Sequence, residues 1–280
     1  MENTMRAATY VPKGGVGKTT STGHIAVSAV NHHDLEVVAL DLAGTQNDLA
    51  TQFGIADEVD DPDAPISAVF GENWSFIRDN IDDIVDRMVF ETDEGVDIIP
   101  ADEGLGGADN NLANVPRENR YGKLDAFITD ELAPRYDLVL LDLPGKEDNI
   151  TINGLFAAEN VVAPLKPGEF ERNQAKNLET ELEAIRDDAD HDASPQLQLV
   201  FATMIEKGTN LSGEFEAELK KAYPDVAGPS VTKAQDIGNE QAKGRTLFAL
   251  EDDELYATGK RARDSYRELT NDLLDRLEAR

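Results

Sequence analysis

The feature that most constrains the fold is a glycine-rich octet at positions 13–20, with the sequence Lys-Gly-Gly-Val-Gly-Lys-Thr-Thr. It follows a short apolar run at 7–11 that predicts a strand, and it opens a segment from 19 to about 31 that predicts a helix. Glycines at such a junction let backbone N–H groups close around an anion, and the helix N-terminus adds its partial positive charge. The octet therefore predicts a strand–loop–helix unit whose loop binds phosphate.

Three side chains of this loop carry most of its predicted chemistry. The Lys18 ammonium can reach the β- and γ-phosphates of a nucleotide, and the Thr19 hydroxyl can ligate Mg²⁺. The strict pattern G-x-x-x-x-G-K-[ST] requires glycine where this chain has Pro12, so the octet is a variant form. The variant adds Lys13, which lies at the loop entrance beside the expected phosphates.

Apolar runs of strand length alternate with helical patterns along the rest of the chain. Further strands are predicted at 37–42, 96–99, 138–143, 161–165 and 197–204, and helices at 76–88, 120–133, 149–158, 171–189, 212–222 and 258–277, with loops at 57–65 and 104–116. Continuously apolar strands are typical of parallel strands covered on both faces. The sequence predicts one α/β domain over 1–280, with a doubly wound, mainly parallel sheet and helices on both faces.

Composition excludes several kinds of site. The 280 residues include no cysteine, which excludes disulfides, iron–sulfur clusters, cysteine-ligated zinc and cysteine nucleophiles. With four histidines, a histidine-based metal site is not expected. No run approaches the roughly 20 apolar residues of a membrane span, and the first ten residues lack the apolar centre of a signal peptide. We therefore expect a cytoplasmic protein.

The charge balance is strongly acidic. The chain has 26 Lys+Arg and 56 Asp+Glu, a net charge of −30, and the acidic residues are dispersed among apolar patterns. Such a surface repels itself at low salt, whereas at about 1 M salt the Debye length is only about 3 Å. The composition favours a protein adapted to a salt-rich cytoplasm, as in a halophile, with an ordinary acidic protein as the alternative.

The octet resembles the deviant Walker A motif of the ParA/MinD superfamily of P-loop ATPases. In that family the early lysine crosses a dimer interface and contacts the nucleotide phosphates of the partner subunit. The resemblance therefore implies a homodimer with ATP between its subunits, in which Lys13 and Lys18 act catalytically. It also implies that the whole octet binds nucleotide, namely Lys13, Gly14, Gly15, Val16, Gly17, Lys18, Thr19 and Thr20.

A second segment looks like the family's switch I, a strand that ends in Asp-x-Asp-Pro-Gln-Gly-Asn. Asp41 matches the first aspartate, whereas Ala43 stands in the place of the second. In the family the second carboxylate helps to position the attacking water, and a methyl group cannot accept a hydrogen bond. We expect slow hydrolysis or a substitute group, and three nearby residues remain open candidates, namely Gln46, Asn47 and Asp48.

A third segment resembles Walker B, an apolar strand that ends in a carboxylate. A strand-terminal aspartate on its own is usually a turn or cap residue, but together with the octet Asp142 is predicted to hold Mg²⁺ with Thr19. The resemblance also implies that Asp41 is a catalytic residue with Lys13 and Lys18, and it is expected behind these metal ligands. The segment 151–155 matches the family's Thr-x-Asn-x-Leu pattern in switch II. More weakly, 161–165 and 98–101 resemble family strands, and the resemblance places adenine between the end of strand 197–204 and the loop at 231–236.

The absence of cysteine and the character of the C-terminal segment exclude several branches of the superfamily. Without cysteine, the nitrogenase iron protein and the iron–sulfur carriers are excluded. The C-terminal segment mixes both charge signs and carries a core-facing stripe of Leu269, Leu273 and Leu277, unlike the basic membrane helix of a MinD-like protein. The ParA/Soj partition ATPases remain, which implies ATP and Mg²⁺, an ATP-dependent homodimer, a ParB-like partner, no membrane, and a nucleoid-associated location.

This branch binds DNA without sequence preference, which requires a local positive patch. The densest basic grouping comprises Lys243, Arg245, Lys260, Arg261, Arg263 and Arg267. The competing interpretation is that these cations pair with Glu240, Glu251, Asp264 and Glu268 on the same surface. Two other functions stay open: a nucleotide switch or scaffold with little turnover, favoured by Ala43, and a MinD-like positioning ATPase.

Overall fold

The computed structural model describes residues 4–44, 48–59, 62–168, 172–187 and 193–279. Within them a single sheet has seven strands, β1 Met5–Thr9, β2 Val37–Asp41, β3 Phe90–Glu91, β4 Asp97–Ile99, β5 Leu138–Asp142, β6 Asn160–Leu165 and β7 Gln196–Ala202. Their order is β3-β4-β2-β5-β1-β6-β7, and every pairing is parallel except the antiparallel β3–β4 pair at one edge. The prediction of a mainly parallel sheet is confirmed.

Helices connect the strands on both faces. They are α1 Lys18–His33, α2 Asp48–Gln52, α3 Trp74–Asn80, α4 Leu105–Leu112, α5 Arg117–Arg120, α6 Lys123–Phe127, α7 Asn149–Ala158, α8 Arg172–Arg186, α9 Asn210–Ala222, α10 Gln235–Gln241 and α11 Ala257–Glu278, with a π turn at Ile128–Leu132 that continues α6. Alternate residues of β5 face opposite layers, because Val139 and Leu141 pack with α4 and α6–α9 whereas Leu138 and Leu140 pack with α1, α2 and α11. The two apolar layers make the fold doubly wound, as predicted.

The predicted boundaries of several helices and loops differ from those in the structure. The helix predicted at 76–88 ends at Asn80, because Ile81 is extended (φ −119°, ψ 110°), and a left-handed Asp83 (φ +57°) then turns the chain before the 3₁₀ turn Asp86–Met88. The loop predicted at 104–116 contains α4, which buries Leu105, Ala108 and Leu112. The segment predicted as one helix at 120–133 is divided between α5, α6 and the π turn, while β3, α2 and α10 were not predicted.

The long C-terminal helix α11 packs against the sheet and α1. Its leucine stripe, Leu269, Leu273 and Leu277, is buried in the same layer as Ile25 and Val27 of α1. The prediction of a packed terminal helix is confirmed. None of the described helices combines the length and the apolar character needed to cross a bilayer.

Candidate functional site

The carboxyl ends of the three central strands bring the predicted site residues together. The octet follows β1, Asp41 ends β2 and Asp142 ends β5. The register pairs Asp142 with Thr9 on one side and with Asp41 on the other. Because parallel strands end at one edge of the sheet, the phosphate loop and both carboxylates lie at the same edge.

The loop itself opens toward solvent. Gly15 and Gly17 have left-handed φ angles of +70° and +88°, which only glycine adopts without strain, and Gly17 directly precedes α1. A Cβ built on Gly14 or Gly15 would meet no atom within 4 Å. The loop therefore leaves free space over its backbone at the N-terminus of a 16-residue helix, as an anion site requires.

Lys18 is folded back into the loop. Its Nζ donates to the Lys13 carbonyl oxygen over 2.7 Å, and its side chain is largely buried. Burial lowers the pKa of Lys18, while the nearby Asp142 carboxylate opposes that shift. A phosphate group entering the loop would supply the anion that this buried ammonium lacks.

Thr19 and Asp142 form the part of the site that fits a metal ion. The Thr19 hydroxyl donates to Asp142 Oδ2 over 2.5 Å, and Asp142 is fully buried. Its Oδ1 has no hydrogen-bond partner among the described residues, and burial, with repulsion from Asp41 second, raises its pKa well above the usual range. A buried carboxylate oxygen without a partner, beside a hydroxyl, fits a hard cation such as Mg²⁺.

The protein supplies few ligands to such an ion. No group of three or more His, Asp or Glu side chains in the described part of the chain is arranged to hold a metal. Mg²⁺ usually keeps several waters and is held by one or two carboxylates together with substrate phosphates, so the sparse donor set agrees with the phosphate loop beside it.

Asp41 organises the backbone that follows β2. Its Oδ1 accepts from the Ala43 amide over 2.9 Å and its Oδ2 from the Leu49 amide over 3.1 Å. Burial raises the pKa of Asp41 to about 6, although both amide hydrogen bonds oppose the shift. Asp41 thus holds the backbone amides of Ala43 and Leu49.

Ala43 is partly buried, and its backbone amide is held by Asp41. Asp48, one of the three substitute candidates, is exposed at the start of α2. The other two candidates, Gln46 and Asn47, lie outside the described residues.

Two further contacts, which the sequence did not predict, hold the phosphate loop. A Cβ on Gly145 would lie 2.8 Å from the Lys13 carbonyl carbon and 3.1 Å from Lys18 Nζ, so the chain after β5 touches the loop backbone. On the other side, buried Thr203 donates from Oγ1 to the Val16 carbonyl oxygen over 3.0 Å. A threonine near the end of the predicted strand 197–204 gives no signal for this contact, because its partner lies far away in sequence.

The segment 151–155 lies inside α7, away from the loop. Asp148 caps this helix by accepting from the Thr151 amide over 2.8 Å, and the Thr151 hydroxyl donates to the Lys146 carbonyl oxygen. Asn153 is fully buried and donates to the carbonyl oxygens of Arg120 and Asn149. These polar residues fix the start of α7, and with it the switch II connection from Gly145.

The predicted basic patch is divided between α11 and the turn after α10. Four of its six cations pair with carboxylates: Lys243 and Arg245 with Glu240, Arg263 with Asp252, and Arg267 with Asp264. Lys260 and Arg261 form no ion pair with any described residue. Two of the four predicted anionic partners, Glu240 and Asp264, are thus found.

Comparison with known proteins agrees with this geometry. Residues 6–200 match the AAA_31 family, described as an AAA domain. The chain belongs to this family. It is similar to the sporulation initiation inhibitor protein Soj of Bacillus subtilis, with 26% identity over 213 residues that cover 76% of this chain and 78% of Soj. It is likewise 26% identical to the chromosome partitioning protein ParA of Caulobacter vibrioides over 215 residues, 76% of this chain and 74% of ParA.

These relatives confirm the ParA/MinD type that the octet indicates. Among solved structures, cobyrinic acid a,c-diamide synthase of Mycobacterium smegmatis, with a bound ATP analog and magnesium, has a TM-score of 0.72 and 22% identity over 97% of this chain and 94% of that one. At this identity the likeness establishes the P-loop fold of this AAA domain protein.

Proposed function

We propose that this ParA-type protein is a Mg²⁺-dependent ATPase that closes into a homodimer around ATP, binds DNA without sequence preference and serves DNA partitioning in the cytoplasm on the nucleoid. The observation that carries the proposal is the placement of Lys18, Thr19 and Asp142 at one edge of the sheet, beside an open glycine loop. The partition relatives and the nucleotide-bound structural neighbour support it.

Each residue would have a defined task. The loop amides and Lys18 would bind the β- and γ-phosphates and stabilise the charge on the transferring phosphoryl group. Thr19 and Asp142 would hold Mg²⁺, which when bound neutralises charge on the β- and γ-oxygens. Asp41 would keep the switch I backbone in place through the Ala43 and Leu49 amides.

Lys13 would act across the dimer. Its carbonyl oxygen is tied to Lys18 and its backbone adjoins Gly145, so the position of the residue is fixed at the loop entrance. A second ammonium there would add positive charge to the phosphates of the partner's nucleotide, as an arginine finger does.

Steady-state ATP hydrolysis in molar KCl with Mg²⁺ tests the proposal. We expect turnover by the wild type and a loss of at least about 100-fold in Lys18→Met, because a preorganised cation at the phosphoryl group is removed. Lys221→Met is the matched control, since Lys221 is exposed on α9. Equal turnover in the wild type and Lys18→Met would overturn the assignment.

DNA binding requires a separate test at the basic patch. The adjacent pair Lys260 and Arg261 on α11 is the part of the patch without an ion pair in the described structure, so we expect Lys260→Glu with Arg261→Glu to weaken DNA binding in the presence of ATP. The same double reversal at Lys220 and Lys221 on α9 is the control. Unchanged affinity in the first variant would remove DNA contact from this patch.

The second candidate function is a nucleotide switch with little turnover, favoured by Ala43, which stands where the family has its second switch I aspartate and whose amide is held by Asp41. ATP binding and dimer closure without measurable hydrolysis would favour it. Ala43→Asp would then be expected to raise turnover, because it restores a carboxylate that can orient water.

A further inference from the structure

Two turns that are far apart in sequence cross at a pair of glycines. Gly54 follows α2, Gly244 follows α10, and both have left-handed φ angles, of +74° and +71°. A Cβ on Gly244 would overlap the Gly54 Cα and lie 2.6 Å from its amide nitrogen, and a Cβ on Gly54 would lie 3.1 Å from the Gly244 carbonyl oxygen. The crossing leaves no room for a side chain on Gly244, and the backbone angle disfavours one at either position.

A buried amide ties the same two turns together. Gln52, the last residue of α2, is fully buried and donates from Nε2 to the Arg245 carbonyl oxygen over 3.3 Å. Helix α1 packs against the Gln52 side chain, since a Cβ on Gly23 would lie 3.1 Å from Gln52 Cγ. The C-terminal end of α2 is thus clamped between α1 and the backbone at 244–245.

The other end of α2 reaches the nucleotide site. Leu49 donates its amide to Asp41 Oδ2 over 3.1 Å, and Asp41 is the register partner of Asp142. Helix α2 has five residues, so Leu49 and Gln52 are separated by about one turn, or roughly 5 Å along the axis. Any shift of the crossing therefore moves the Leu49 amide relative to Asp41.

The turn at 243–245 is itself rigidly anchored. Glu240 is buried and pairs with Lys243 Nζ at 2.7 Å and with Arg245 Nε at 2.6 Å. Two residues on, Leu247 donates its amide to His24 Nε2 over 3.2 Å. This anchoring makes the turn a fixed support against which α2 rests.

We propose that the crossing of Gly54 and Gly244, with Gln52, positions α2 and through it the Asp41 side of the nucleotide site. The three are positioning residues, because they act through the Leu49 amide and Asp41 and lie away from the phosphate loop. The expected effect of these residues on turnover rests on the proposed ATPase function. The placement of the Leu49 amide does not, because it can be measured without nucleotide.

Amide hydrogen exchange of the nucleotide-free protein, followed by kinetics, tests the proposal with Gly244→Ala. We expect exchange at Leu49 to accelerate about tenfold, since the added Cβ forces the two turns apart and weakens the bond to Asp41. We expect kcat for ATP hydrolysis to fall about tenfold while the Kd for Mg·ADP stays within about twofold, because misplacement of groups around the reacting centre costs rate rather than ground-state binding.

Two glycine controls separate this effect from general strain. Gly208 has a φ of +88° with no atom within 4 Å of a built Cβ, so Gly208→Ala carries the backbone strain alone. Gly238 lies on α10 with the same open space, so Gly238→Ala tests a change on the neighbouring helix. Both controls should match the wild type in amide exchange at Leu49, and Gly238→Ala should also match it in kcat.

Gln52→Leu provides a second variant, which replaces the amide with an apolar side chain of similar size and removes the donor to the Arg245 carbonyl oxygen. It should change Leu49 exchange and kcat in the same direction by about threefold, as the loss of one hydrogen bond implies. Unchanged Leu49 exchange in both Gly244→Ala and Gln52→Leu, or equal changes in the two glycine controls, would overturn the proposal. Absence of hydrolysis by the wild type would count against the ATPase assignment instead, and Leu49 exchange would then decide the positioning role alone.

Discussion

Asp142 combines its proposed metal-binding role with a cost in stability to the folded chain. Its carboxylate is fully buried, it lies beside Asp41 and its Oδ1 has no partner in the described structure. Desolvation of a charged group without full compensation destabilises a fold. Asp142 is therefore expected to reduce the stability of the nucleotide-free protein, while its Oδ1 would provide the oxygen for Mg²⁺ under the proposed function.

Asp142→Asn separates these two effects. The neutral amide can still accept from Thr19, so the melting temperature of the nucleotide-free protein should stay level or rise, whereas the gain in ADP affinity on adding Mg²⁺ should fall at least about tenfold. Calorimetric titration with ADP, with Mg²⁺ or with EDTA, measures this gain in affinity. Asp137→Asn, at the exposed start of the same strand, is the control, and a retained Mg²⁺ effect in Asp142→Asn would refute the metal assignment.

His24 makes stability depend on pH. It is buried on α1, contacts the Thr20 carbonyl oxygen at 2.7 Å and stacks on Tyr266, and burial lowers its pKa to about 4. The imidazole of His24 binds a proton more tightly in the unfolded chain than in the folded one. The contribution of neutral His24 to the free energy of unfolding is therefore complete above pH 6.5 and is lost as the pH falls toward 4. Between pH 7 and pH 5 the loss is about 2 kcal/mol.

Denaturant unfolding at pH 7 and pH 5 measures this dependence. His24→Phe should lower the stability at pH 7, because two hydrogen bonds are lost, but it should remove about 2 kcal/mol of the pH-dependent difference. His33→Gln, at an exposed position on the same helix, should leave the difference intact. An unchanged pH dependence in His24→Phe would show that His24 is not its source.

At the residue scale, the sequence predicted those members of the site that share a local motif. Lys18 and Thr19 follow from the octet, and Asp142 from the end of an apolar strand. Thr203 and the Gly54–Gly244 crossing could not be predicted, because their partners are distant in sequence and only the folded chain brings them together.

At the scale of elements, the connection after β5 supports the phosphate loop. A Cβ on Gly145 would lie 2.8 Å from the Lys13 carbonyl carbon and 2.9 Å from its oxygen, both of them backbone atoms. Gly145→Ala should therefore displace the loop entrance and lower ADP affinity about tenfold, as measured by calorimetry. Gly122→Ala is the control, since a Cβ there meets nothing within 4 Å, and equal ADP affinity in both variants would contradict the supporting role.

The elements that were predicted wrongly share a physical cause. The apolar spacing at 76–88 includes the buried Ile84, Val85 and Met88 but also Ile81, which is 40% exposed. A left-handed Asp83 lets the buried residues pack from a turn instead of a helix. The glycines and asparagines of 104–116 suggested a loop, yet Leu105 and Leu112 bury one face of α4. In both cases tertiary burial decided the backbone, and local propensity did not.

At the scale of the whole molecule, the net charge of −30 acts against compactness. Screening of this repulsion should raise the free energy of unfolding between 0.1 and 1 M KCl by about 2 kcal/mol, or roughly 5 °C in Tm. Differential scanning calorimetry across this series measures it, with sucrose of equal osmolality as the control for excluded-solute effects. A flat or falling Tm in KCl would contradict salt adaptation.

The central claim is that two copies of this chain close around ATP through the loop at 13–20. Light scattering in molar KCl tests it most directly, because the monomer mass is 30.6 kDa. With Mg·ATP the wild type should double its mass, whereas Mg·ADP should leave it at the monomer value and Lys13→Ala should bind ATP without doubling. A wild type that binds Mg·ATP and keeps the monomer mass would contradict the account.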